Sequence, residues 1–243
     1  LTSHVKQTYE INSEWPEEAG RIMTIDRQAE DVYWWTVRAW SDAGVSRRLG
    51  FGKAFGAPEL EGIREKFKVE PARTLIDSGY RPKGDNGVYA ICLRYNWTPL
   101  KGYAVENGQP RFFTHQTKRG RIQRSYSAPV LCDPEMGTAS QGFREVQRID
   151  FCSSTYSDRL QGLIDRELWE EPICPQPDAL EVEYGKQMAG EYRKRVVSGA
   201  LKKERFIWFC PSGNNHARDC AKMQVLAATL LNILPDELPG LEG

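Results

Sequence analysis

Three aspartates, Asp26, Asp77 and Asp219, stand at points where regular structure could hold a carboxylate rigidly. Asp26 closes the β-pattern Ile22, Met23, Thr24, Ile25, and Asp77 closes Thr74, Leu75, Ile76 before Ser78-Gly79 breaks the run. Asp219 opens a long apolar helix near the C-terminus. A strand-end carboxylate sits at the rim of a sheet, where a metal site needs one. Each acid also has a plainer reading. Asp26 could cap a turn, Asp77 lies in the common turn tripeptide Asp-Ser-Gly, and Asp219 is favoured by the dipole of its own helix. Asp219 is nevertheless one helical turn before Met223, on or next to the apolar face, where burying an unpaired carboxylate is costly. The joint layout points to a cation site; no single acid does. Asp85, Asp150 and Glu191 are spare acids for the same role. Lys101 is a candidate phosphate contact or a plain surface lysine. His216, one turn before Asp219, reads either as a substrate or metal-water contact or as helix N-terminal packing.

Several elements must position these groups. Arg21–Ile25, Val32–Trp40 and Ser46–Phe55, joined by short polar links and the Asp42-Ala43-Gly44 turn, predict an antiparallel meander. Pro58–Phe67 predicts a helix with Pro near its first turn and Glu59 and Glu61 at the positive end of its dipole. The chain then returns through Arg73–Asp77, and a return after a helix favours a parallel strand beside the first. That places Asp26 and Asp77 at one sheet edge. Asn86–Tyr95 has helical spacing and Pro99–Val105 reads as a strand. The region 109–148 is irregular, an inserted hairpin or mobile loop. Arg159–Leu168 and Glu181–Val197 are helix candidates, Arg205–Cys210 is a strand, and a helix runs from His216 to about Ile233 behind an Asn214 or Asn215 cap. Tyr33, Trp34 and Trp35 are expected to fill the core. The first twenty residues lack periodicity and read as a connector.

Composition narrows the class. A chain of 243 residues with 40% hydrophobic and 27% charged residues can bury a substantial core, as one large α/β domain or two small ones. No apolar run approaches the ~20 residues of a membrane span, and Leu1 opens no signal peptide, so the expectation is a cytosolic protein. Six cysteines without a Cys-x-x-Cys pair and only three histidines argue for reduced thiols and against zinc. The formal net charge is zero, which neither names nor excludes a polyanionic partner. Charge is unevenly placed, however. Arg111, Lys118, Arg119, Arg121 and Arg124 fall within fourteen residues with no acid among them, a basic arm able to grip phosphates or simply a solvated loop.

Three hairpin-type strands, a helix, a parallel strand bearing a second acid and a late helix bearing a third form the layout of RNase H-like (RuvC-like) nucleases: a mixed α/β sheet flanked by helices, here with an inserted hairpin or loop. The segments RIMTIDRQ and VYWWTVRAW, TLIDSGY followed by NGVYAICLRY, PLKGY, and NNHARDCAKMQVLAA resemble the C-terminal nuclease domain of phage terminase large subunits of the lambda-type (gpA-like) family. The match covers most of Arg21 to Val105 and Phe206 to Leu231 and is weak from about Glu106 to Glu204. Its elements Asp-x-Gln, Asp-Ser-Gly, Lys-Gly and Asn-His-x-x-Asp-Cys are short, but their order and spacing are fairly specific. No Gly-x-x-x-x-Gly-Lys-Ser/Thr occurs, so the resemblance implies the nuclease half alone. It implies residues 1–20 as a linker from an N-terminal ATPase domain, 21–235 as the nuclease with 106–150 inserted, and 236–243 as a tail. Asp26, Asp77 and Asp219 would then be catalytic acids holding two Mg²⁺ or Mn²⁺ ions about 4 Å apart, with Asp26 bridging them. Apo, the clustered acids repel, so at least one should hold its proton abnormally tightly. Lys101, Arg119, Arg121, Arg124 and His216 are the candidate DNA contacts. The implied substrate is concatemeric double-stranded viral DNA in the bacterial host cytoplasm, and the implied partners are the ATPase domain in cis, a small terminase subunit and the portal protein. Two competing readings are another RNase H-like nuclease, such as a junction resolvase or a transposase-like enzyme, and a non-catalytic docking module whose acids are structural.

Overall fold

The computed structural model describes residues 6–11, 13–81, 83–84, 86–104, 110–134, 145–198 and 203–236. The meander forms as expected. Strands β2 (Glu18–Arg27), β3 (Val32–Ser41) and β4 (Ser46–Phe55) pair antiparallel, and Gly44, at φ 78°, makes the tight turn between the last two. Helix α1 (Ala57–Lys66) carries the chain back into β5 (Thr74–Asp77), which pairs parallel with β2. Helix α2 (Val88–Tyr95) then leads into β6 (Thr98–Tyr103), parallel to β5. With β1 (Lys6–Tyr9), β9 (Val130–Cys132), β10 (Val146–Cys152) and β11 (Trp169–Pro172), these strands form one nine-stranded sheet ordered β1-β11-β4-β3-β2-β5-β6-β10-β9. The run β4-β3-β2-β5-β6, with β3 reversed, is the RNase H-like arrangement.

Alternation along β2 divides the core. Ile22 faces the layer formed by α3 (Ser153–Asp165) and α5 (His216–Leu230), whereas Met23 and Ile25 face α1 and α2. The aromatic run obeys the same alternation, Trp34 going to the α5 side and Tyr33 and Trp35 to the other. A buried glutamine fastens α5 to the sheet. Gln224 donates from Nε2 to the carbonyls of Ile22 and Thr36 and accepts at Oε1 from the Trp40 indole.

The rest of the chain departs from expectation in several places. Lys6–Tyr9, within the supposed connector, is an edge strand parallel to β11. The inserted segment does contain a hairpin, β7 (Phe113–Thr117) with β8 (Gly120–Arg124), but 106–150 is not wholly an insertion, because β10 belongs to the main sheet beside β6 and β9 pairs with β10 at its edge. Covered on both faces, β10 lacks the polar–apolar alternation of a surface strand. Helix α3 begins six residues before Arg159 and stops at Asp165, where Glu167 turns the backbone to φ 58°. The helix expected over Glu181–Val197 is α4 (Ala179–Ala189), capped by the Asp178 carboxylate; it ends at Gly190. Beyond it the basic, β-branched run of β12 (Tyr192–Ser198) pairs with β13 (Lys203–Phe209) in a separate ribbon, so the Arg205–Cys210 strand is not part of the main sheet. Helix α2 starts at Val88, two residues after Asn86, and α5 ends at Leu230, short of Ile233. Val105 and 237–243 of the tail lie outside the described residues.

Candidate active site

Register brings the two strand-end acids together. In the parallel β2–β5 pair, Thr24 is opposite Leu75 and Ile25 opposite Ile76, so Asp26 and Asp77 are the next pair along, one strand spacing of about 5 Å apart. Both continue the α5-facing alternation set by Ile22, Thr24 and Leu75. The first turn of α5 lies over that rim and supplies Asp219. All three aspartates line one open cleft of about 350 Å³, whose other walls include Ser157 of α3, Trp208 of β13, Glu191 and Lys222.

The short elements singled out in the sequence have local physical roles here. In Asp-x-Gln, Gln28 donates from Nε2 to Asp26 Oδ2 at 2.6 Å. In Asp-Ser-Gly, the Gly79 N–H donates to Asp77 Oδ2 at 3.0 Å, and a Cβ on Gly79 would stand only 2.9 Å from that oxygen. Ser78 meanwhile ties the strand end to the Leu100 carbonyl at 2.7 Å through its hydroxyl. In Asn-His-x-x-Asp-Cys, Asn215 donates to Asp219 Oδ1 at 3.2 Å, and the Cys220 carbonyl accepts from Thr24 Oγ1 at 3.0 Å. His216 packs at the helix N-terminus and also meets one of the acids. Its ring stacks on Trp34 at 5.5 Å, and its Nδ1 lies 3.0 Å from Asp26 Oδ2.

The acids differ in electrostatic setting. Asp26, 4% exposed, is pushed above the usual carboxylate range by burial; the His216 hydrogen bond opposes this, and the charge of Asp219 reinforces it. Asp77 is pushed up to about 7 by burial and then by Asp26, with the Gly79 N–H pulling the other way. One of the clustered acids therefore holds a proton near neutrality, as expected. A folded-state value above the unfolded 3.8 means the native chain keeps a proton that the unfolded chain has already released. Metal-free stability should therefore fall as pH rises from about 4 to about 7 and level off above that. Urea unfolding across this range checks it. Asp77→Asn should flatten the slope, and a variant with the wild-type slope would remove Asp77 as its source.

Other candidates separate cleanly. Lys101 does not line the cleft, although its charge is felt at Asp77. Arg119 and Arg121 are exposed on the β7–β8 hairpin and are not among the cleft-lining residues. Arg124 is engaged elsewhere, its Nη1 lying 2.7 Å from Asp236 Oδ2 and donating to the Tyr126 hydroxyl. Of the spare acids, Asp85 lies outside the described residues, and Asp150 is paired with Arg148 at 2.6 Å away from the cleft. Glu191 does line the cleft. It pairs with Arg218 at 3.0 Å and with Lys222 at 3.3 Å. Lys222 also contacts Asp219 at 2.5 Å. Sequence reasoning missed Lys222: its i,i+3 spacing from Asp219 puts the two on one helix face but does not reveal its burial.

Among the described residues, no three His, Cys, Asp or Glu side chains form a ready-made metal cage. The acids are instead tied to Gln28, His216, Gly79, Asn215 and Lys222. The donor chemistry fits a hard divalent ion all the same: carboxylate oxygens from three elements face one solvent-open cleft, and all six cysteines are free thiols.

No protein-family model matches the chain, and no curated protein does. Among solved structures, the large terminase from a thermophilic bacteriophage is similar, with a TM-score of 0.46 and 8% identity over 95% of this chain and 44% of that one. The P22 large terminase nuclease domain is similar with a TM-score of 0.47 and 10% identity, over 96% of this chain and 90% of that one. The chain thus spans less than half of the thermophilic phage's protein. No helix among the described residues is long and apolar enough to cross a membrane.

Proposed function

We propose that this chain is the nuclease part of a phage terminase large subunit and hydrolyses phosphodiester bonds of double-stranded DNA with divalent cations. The observation that carries the reading is the β2–β5 register, which sets Asp26 beside Asp77 on the face covered by the helix bearing Asp219. The lambda-type motif elements support it, since Asp-x-Gln, Asp-Ser-Gly and Asn-His-x-x-Asp-Cys each contain one of these acids. Asp26, Asp77 and Asp219 would hold Mg²⁺ or Mn²⁺, up to two such ions. Such ions supply Lewis acidity and an activated water. The chain's own part is to fix the acids. Gln28 and His216 orient the Asp26 carboxylate, Gly79 that of Asp77 and Asn215 that of Asp219. In a complete terminase the work would fall on concatemeric DNA in the host cytoplasm, alongside an ATPase domain in cis, a small subunit and the portal.

Supplying linear and four-way-branched duplex side by side with Mn²⁺ tests the assignment. Cleavage of linear duplex is the expected result; cleavage confined to the branched substrate would favour a junction resolvase, and none on either would end the nuclease reading. DNA contact is assigned to the hairpin tip. Arg119→Ala with Arg121→Ala should weaken duplex binding and shallow the salt dependence by roughly 0.9 in slope per lost phosphate contact. Arg124→Ala, which breaks the Asp236 pair, should leave that slope unchanged. Binding titrations at several salt concentrations decide it, and an unmoved slope in the double variant would discard the hairpin as a DNA contact.

A further inference from the structure

Lys222 is an unusual neighbour for a cation site. It lies one turn beyond Asp219 on α5 and is only 4% exposed, yet it lines the cleft with Asp26 and Asp77. Its ammonium stands 2.5 Å from Asp219 Oδ1 and 3.3 Å from Glu191 Oε1. Glu191 is itself anchored by Arg218 at 3.0 Å and by the Ser157 hydroxyl at 3.4 Å, so it offers Lys222 a fixed second seat. With Asp26, Asp77, Asp219 and Glu191 ionised, the ammonium, the Arg218 guanidinium and one divalent cation balance the cleft. Two divalent cations beside an unmoved Lys222 would overshoot by two charges, and like charges a few ångströms apart in a partly dry cleft repel strongly. The Asp219 oxygen that Lys222 holds is also the one that Asn215 holds.

We infer that Lys222 stands in for one divalent cation at Asp219, so that the DNA-free cleft takes a single ion on the Asp26–Asp77 side. A second ion enters only when Lys222 moves wholly onto Glu191, a change that the added negative charge of a DNA phosphate favours. This rests on the metal-dependent reading above and assigns Lys222 as a positioning residue that acts through Asp219.

Manganese titration of the DNA-free protein, followed by the electron paramagnetic resonance signal of free Mn²⁺, reads the ion count without any need for activity. Wild type should take up one Mn²⁺ tightly. Lys222→Gln should take up two, with the second site tightened on the order of tenfold or more by loss of the competing charge. Lys222→Met is the second variant if Gln does not fold at this buried position. Two equally tight ions in wild type, or an unchanged count in a folded Lys222 variant, would overturn the role of Lys222 alone. The metal-dependent reading fails by a different result, in which wild type takes up no Mn²⁺ and matches Asp26→Asn.

Discussion

Asp26→Asn lowers duplex cleavage on the order of 10³-fold while leaving the fold intact or slightly more stable. The loss is of the size seen when a charge acting on the transition state disappears, because the amide cannot replace a carboxylate as a hard-cation ligand. Stability moves the other way for a reason visible in the cleft. Burial and the charge of Asp219 already disfavour ionised Asp26, and removing its charge relieves that cost wherever the wild-type carboxyl is ionised. The amide is isosteric, and Thr24, Trp34 and α5 keep their packing around it. Rate and melting temperature measured on one preparation therefore separate the roles. Mn²⁺ should raise the melting temperature of wild type and not of the variant, since a ligand stabilises only a state that binds it. Unchanged cleavage by Asp26→Asn would return the acids to a structural role. Asp219→Asn should cost less than Asp26→Asn, because in the two-ion reading Asp219 would serve one ion and Asp26 both.

How far the sequence could reach is clear from particular residues. Asp26 and Asp77 were legible because each ends an apolar β-run, and the return through α1 implied a parallel pairing. The register itself, which sets them side by side, needed the structure. Ser46–Phe55 was legible to the residue because its turn and its alternation are both local. Trp169–Pro172 was not legible, since four residues carry too little periodicity and the pairing partner, β4, is over a hundred positions away. The polar run after Gly190 looked helical by spacing, and its pairing with Lys203–Phe209 overrode that pattern. Lys222 was hidden for another reason. Nothing local distinguishes a solvated lysine from one buried against Glu191, thirty-one positions earlier. The same limit applies to a larger charge cluster where β3, β4 and β11 meet.

Glu171→Ala, on β11, should destabilise the protein by about 3–5 kcal/mol, roughly 10 °C in melting temperature for a chain of this size. Glu171 accepts from Arg38 at 2.7 Å, from Arg48 at 2.5 Å and from the Tyr184 hydroxyl at 2.7 Å, and the Arg38 guanidinium also lies 3.7 Å from the Trp169 ring centroid. Burial opposes ionisation of Glu171, but the charges of Arg38 and Arg48 outweigh it and hold the carboxyl below its usual range. Truncation leaves two guanidinium groups, 0% and 3% exposed, without their shared counter-charge. That uncompensated burial is the main cost, so replacing the whole cluster by apolar residues of similar volume should cost much less than the single change. The sign with pH follows from the lowered native value: this part of the stability is present above the unfolded carboxyl range and is lost as pH falls below it. The damage should also reach the cleft. Arg48 pairs with Glu181 of α4, and α4 in turn accepts the Ala217 N–H on Gln187 and the Arg218 guanidinium on the Met188 carbonyl. These contacts seat the first turn of α5, which carries His216 and Asp219. Urea unfolding and cleavage measured on Glu171→Ala should therefore fall together, and a variant within about 1 kcal/mol of wild type would show that the cluster carries no such load.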